Sequence, residues 1–154
     1  MRHGVRAQRD GTYRVHLGRE ERELLDFLAA ELLQLVAADD DAVARLFPAA
    51  YRDDPDAEEE YRRLTREALV DGRVGALETI RRTATAEQLT QGEADAWLGA
   101  LNDLRLVLGE RLGVTEDLYE DGIDPHDPRA AQLSVYGWLT WLQAELIDAL
   151  ASRL

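Results

Sequence analysis

The sequence predicts a mainly α protein: one domain over residues 1–154, a helical bundle of five or six helices with a small N-terminal β-hairpin. Three observations predict it. Four long segments repeat apolar residues at helical spacing. An Asp10-Gly11 turn signal separates two short runs of alternating character near the N-terminus. Helix start and stop signals fall between the periodic segments, at Asp54-Pro55, Thr90…Glu93, Gly113 and Asp127-Pro128.

Residues 3–17 read as the hairpin. A three-residue loop over Arg9-Asp10-Gly11, with Gly11 left-handed, sets Val5 opposite Val15 and Ala7 opposite Tyr13. That register gathers Val5, Ala7, Tyr13, Val15 and Leu17 on one face, whereas a two-residue loop mixes the faces. A lone hairpin is marginal, so this one must pack on the helices that fill 19–154.

Gly18 serves as the N-cap of the first helix, with Glu20 and Glu21 in its first turn, and Leu24, Leu28, Leu32 and Leu35 form its stripe to about residue 38. Asp39-Asp40-Asp41 then caps a short helix through Leu46, closed by Pro48. Asp54-Pro55 opens a helix carrying Tyr61, Leu64, Ala68 and Leu69 inward; Gly72 breaks it or merely weakens it before Val74, Leu77 and Ile80 continue the pattern. Thr85…Gln88 and Thr90…Glu93 both fit capping boxes, and the second starts the central helix. That helix turns Trp97, Leu101, Leu104, Leu108 and Leu112 to one side and Leu106, between glycines, to the other, which predicts cover on both sides. Residues 114–127 are a polar connection. The last helix starts at Asp127-Pro128 and points Val135, Leu139, Leu142, Leu146 and Leu150 inward.

Composition closes off several chemistries. The chain has 154 residues, 45% hydrophobic and 32% charged, which marks a globular protein. Its 31 acids against 18 bases give a net charge of -13, and every base is Arg. With no Lys there is no Schiff base, and with no Cys there is no disulfide, thiolate ligand or Cys nucleophile. The acidic balance opposes binding to nucleic-acid phosphate. No apolar leader segment and no run near ~18 apolar residues is present, so a cytoplasmic protein without membrane contact is expected.

Candidate sites are few. Asn102, Asp103 and Arg105 form either a ligand-holding trio or a buried polar layer that fixes how the helices pack; the layer is the preferred reading. The acids Asp53, Asp54, Asp56, Glu58, Glu59 and Glu60 suit a solvated helix start better than a cation site. Glu120, Asp121, Asp124, His126 and Asp127 could ligate a divalent metal, but a single His among them favours a polar, helix-capping loop. Arg62, Arg63, Arg66, Arg73, Arg81 and Arg82 line a helix, though interleaved acids spoil a basic face. In the last helix Trp138 sits at the margin of the stripe and Trp141 outside it, near Glu145 and Asp148. This face either anchors a partner or is covered by the hairpin or first helix. Neither a catalytic set nor a cofactor or resident metal is expected.

The segments LFPAAYRDDPDAEEEYRRLTREAL, LNDLRLVLGERLG and YGWLTWLQAELIDAL together resemble an uncharacterised actinobacterial family, the domain of unknown function numbered twenty-seventeen. The resemblance spans nearly the whole chain and carries no catalytic residue. It implies a cytoplasmic helical protein. Because family members are often encoded near a ClpS-type Clp-protease adaptor, it also implies a connection with regulated proteolysis. The expected function is a non-catalytic interaction module or regulator whose partner is another protein or a second copy of itself, with Trp138, Trp141, Glu145 and Asp148 as the binding face. The alternatives are a DNA-binding regulator and a carboxylate-metal enzyme.

Overall fold

A computed structural model describes residues 3–38, 40–47, 53–115 and 124–153, the side chain of Arg45 excepted. Strands β1 (Gly4–Ala7) and β2 (Tyr13–His16) form the hairpin, in the register that pairs Val5 with Val15 and Ala7 with Tyr13. Gly11 takes a φ of 92°, the left-handed conformation that the turn requires. A third strand, β3 (Gln88–Leu89), adds to β2 through Tyr13–Leu89 and Arg14–Gln88, giving the order β1-β2-β3. Thr85…Gln88 is therefore not a capping box: its last residue is committed to a sheet edge.

Helix α1 runs Arg19–Ala37 behind Gly18, whose N–H donates to Glu21 Oε1 at 2.8 Å. A 3-10 helix, Asp41–Leu46, follows, with the Asp40 carboxylate accepting from Ala42 N at 2.9 Å. Helix α2, Pro55–Thr83, is unbroken across Gly72 and Gly75 and is capped by Asp54. Helix α3, Gln91–Leu112, has the expected Thr90–Glu93 capping box and ends on Gly113 at φ 62°. Helix α4, Ala130–Ala151, starts two residues past Pro128, because the Asp127 carboxylate accepts from Arg129 N at 2.8 Å and holds a turn there. The described residues thus hold four α-helices and one 3-10 helix, fewer than the five or six expected.

Helix α3 is the axis of the packing. It contacts α2, α4, α1, β3 and the 3-10 helix, and Trp97, Ala100 and Leu101 on it are wholly buried. Trp97 Nε1 donates to Thr83 Oγ1 at 2.7 Å, which satisfies the one polar atom of the largest core side chain. Leu77 and Ile80 of α2, Leu25 and Ala29 of α1, and Leu139, Leu142 and Leu146 of α4 complete the core. Two expectations of cover fail. Leu106 lies on a solvent-facing side of α3, 36% exposed, so that side is left uncovered. Leu64, Ala68 and Leu69 point outward, since only Leu77, Ile80 and Thr83 of α2 are buried and the helix reaches the core late in its length.

One guanidinium joins the layers. Arg22 of α1 donates to Val15 O, Leu17 O, Ala84 O and Ala86 O, at 2.7–3.1 Å. It ties the end of β2 to the turn between α2 and β3. Arg22→Met should lower the unfolding free energy by about 3 kcal/mol, because several carbonyls lose a charged donor at once. Arg19→Met, at a neighbouring side chain that is 92% exposed, should leave stability unchanged. Urea unfolding of the two variants beside wild type checks this.

Candidate functional site

The tryptophans of α4 form the seat of the hairpin. β1 lies along α4, as the marginal stability of a free hairpin requires. The ring of His3 stacks on Trp141, with centroids 4.6 Å apart and planes inclined by 15°. Glu21 accepts from Trp138 Nε1 at 2.7 Å and from His3 Nε2 at 2.8 Å, while still capping α1 through Gly18. Glu145 lies 3.6 Å from Arg6 Nη1 and beneath Gly4. A Cβ at Gly4 would come within 2.1 Å of Glu145 Oε1 and push that carboxylate aside, and the φ of 119° there is a conformation that favours glycine. Trp141 is half-buried rather than an open anchor. Of the four residues read as a binding face, Asp148 alone stays exposed, beside Ile147.

Asn102, Asp103 and Arg105 point in three directions rather than forming one layer. Asn102 is exposed. Asp103, 3% exposed, pairs with Arg73 of α2. Burial pushes its carboxyl above the ordinary range, and the bond and charge of Arg73 work against that shift. Arg105 reaches α4, where it donates to Thr140 Oγ1 at 3.0 Å and to Gln143 Oε1, with its guanidinium 5.4 Å from the centroid of the Tyr136 ring. These contacts fix α3 against α2 on one side and α4 on the other.

The charged runs resolve into pairs and caps. Arg62 pairs with Glu58, Arg63 with Glu60, Arg73 with Asp103, Arg81 with Asp26 and Arg82 with Glu93, while Arg66 lies 5.1 Å from the centroid of Phe47. Each of the five pairs sets a carboxylate beside the guanidinium, so the segment presents no uniformly basic face. Asp124 accepts from His126 N, and Asp127 is chelated by Arg129, whose guanidinium also reaches Leu112 O at the end of α3. Glu120 and Asp121 lie outside the described residues. Among the described residues no group of three or more His, Asp or Glu is placed to hold a metal, and no helix is long and apolar enough to cross a membrane.

What the sequence missed is apolar and exposed. Phe27 is 57% exposed, Leu64 69% and Leu69 43%. Phe27 stands on the rim of a groove of about 250 Å³ walled by α1 and α4 and floored by α3, with Leu24, Leu28, Leu35, Leu108 and Val135 in its lining. Phe27 falls beside the leucine stripe of α1 and not within it, and an aromatic so placed was the available signal.

The family described as a domain of unknown function, DUF2017, matches residues 1–150. Proteins of Mycobacterium bovis and Mycobacterium tuberculosis, each named oxidative stress regulator AosR, are 36% identical to this chain over 70% of its length. The chain spans 57% of the length of these relatives. No solved structure matches it.

The Glu21 cluster sets an acid limb. Burial works against its charge, but the bonds from Gly18, His3 and Trp138 together hold its carboxyl below its ordinary value of 4.5. The folded state therefore binds this proton less readily than the unfolded chain. The stability it contributes is full above pH 4.5 and is lost as pH falls through the lowered folded value. In Glu21→Gln that part of the decline should vanish. Urea unfolding midpoints followed from neutral to acid pH test it, and identical acid limbs in the two proteins would remove Glu21 from this role.

Proposed function

The chain belongs to the DUF2017 family, and we propose that it is a regulator that acts by binding another protein and not by catalysis. The regulator name of its mycobacterial relatives supports the first half of this reading. The observation that carries the second is the α2 arm. From Pro55 to Ala76 no side chain of this helix is fully buried, with Val70, Val74 and Ala76 packed partly against the core, and Leu64 on the other face is the most exposed large hydrophobic residue described. Helices in proteins draw most of their stability from packing, so an arm of this length with an open leucine is suited to docking. Leu64, Ala68 and Gly75 share one exposed face at spacings of four and seven, where small neighbours allow a partner backbone to come close. Trp138, bonded to Glu21, and Trp141, stacked by His3, are half-buried, so the more exposed arm is the face we prefer.

The relatives are named for oxidative stress, and this chain has no cysteine. A shared role would run without a thiol of its own, through association with a partner that senses or responds.

Capture from nuclease-treated lysate of the source organism, with wild type beside Leu64→Asp, tests the proposal. A partner protein retained by wild type and reduced about tenfold by the variant is the expected result, with the unfolding midpoint unchanged because position 64 is exposed. Equal capture by both would remove the arm from the role. Recovery that disappears on nuclease treatment would replace protein binding by nucleic-acid binding. The identity of the captured protein decides whether Clp-type proteolysis is the pathway.

A further inference from the structure

We propose that the groove between α1, α3 and α4 is the interface at which two copies of this chain associate. The groove carries both halves of a self-complementary contact. Its lining is apolar, and on its rim stands Phe27, a ring 57% exposed beside a cleft of about 250 Å³. Its two charged lining residues have opposite signs and come from different helices, Glu31 from α1 and Arg111 from α3. Both are exposed, and among the described residues neither has an ion pair or a side-chain hydrogen bond.

A two-fold contact repeats every interaction, with residue i on residue j and j on i. One aromatic knob, one cleft, one acid and one base then suffice for a closed interface. Phe27 of each copy enters the cleft of the other, and Glu31 of each meets Arg111 of the other. An occupant of uniform charge, basic or acidic, would meet one favourable and one unfavourable wall. A second copy meets two favourable ones.

The charge of -13 on each copy opposes association. At physiological ionic strength charges more than ~8 Å apart are largely screened, so the groove contacts decide. The interface leaves the outward face of the α2 arm free, and its readout is mass, so it stands or falls separately from partner capture.

Sedimentation equilibrium of the full chain tests the proposal. Wild type should be a concentration-dependent dimer, and Phe27→Asp a monomer. Glu31→Arg and Arg111→Glu should each weaken dimerisation about fivefold, since two exposed pairs are lost per dimer. The double variant Glu31→Arg/Arg111→Glu should recover wild-type association, because the pair is reversed and not removed. All three positions are solvent-facing or on the rim, and far-ultraviolet circular dichroism confirms folding. A wild type that stays monomeric at every concentration overturns the proposal. So does a dimer that persists in Phe27→Asp, or a double variant weaker than either single one.

Discussion

The Arg22 guanidinium reinforces a junction that the β2–β3 pairing and the packing of α1 on α2 bring together. Two of its four acceptors, Val15 O and Leu17 O, lie where β2 gives way to α1, and two, Ala84 O and Ala86 O, lie just past the end of α2. Carbonyls at such junctions are the ones secondary structure leaves without partners. A planar fork with five donors reaches several of them at once, which an ammonium on a flexible stem does not. Arg153 uses the same chemistry on Gln8 O and Thr12 O at the hairpin turn, with its guanidinium over Tyr13, and Arg129 uses it on Leu112 O. A chain whose only bases are arginines spends several of them on closing its own seams.

That use of arginine shapes the surface. Five of the six guanidiniums along α2 lie against carboxylates of α1, of α3 or of α2 itself, and the sixth, Arg66, lies over Phe47. The result is a body of net negative charge whose exposed apolar places are chiefly the α2 arm and the groove beside Phe27. Both readings of the molecule, a protein-binding arm and a self-complementary groove, follow from where apolar side chains were left uncovered.

The local signals were legible because they are local. The Thr90–Glu93 box, the left-handed Gly113, the Asp54-Pro55 start and the hairpin register each depend on neighbouring residues alone. Strand β3 could not be read, since two residues carry no period and pair only because β2 is held beside them. Leu64 was misplaced for a different reason. A 3.6-residue period identifies a stripe but not whether the core extends as far as the helix does, and α2 begins well before the core does. Trp141 was undecided between two readings because its neighbour, His3, lies 138 positions away in sequence. The trio in α3 was adjacent in sequence but on a helix consecutive residues face apart, so Asp103 and Arg105 serve different neighbours.

The seat of the hairpin on α4 has a kinetic consequence. It joins His3 to Trp141 and Arg6 to Glu145, contacts whose partners lie near opposite ends of the sequence. Loop closure over such distances adds only about 0.6 kcal/mol for each doubling of loop length, so the native state is little weakened by it. The rate is affected more, because distant contacts must wait for the helices between them to assemble. The hairpin seats on a surface that α1 and α4 share through Glu21 and Trp138, and Gly4, at a φ of 119°, is where β1 turns close over Glu145.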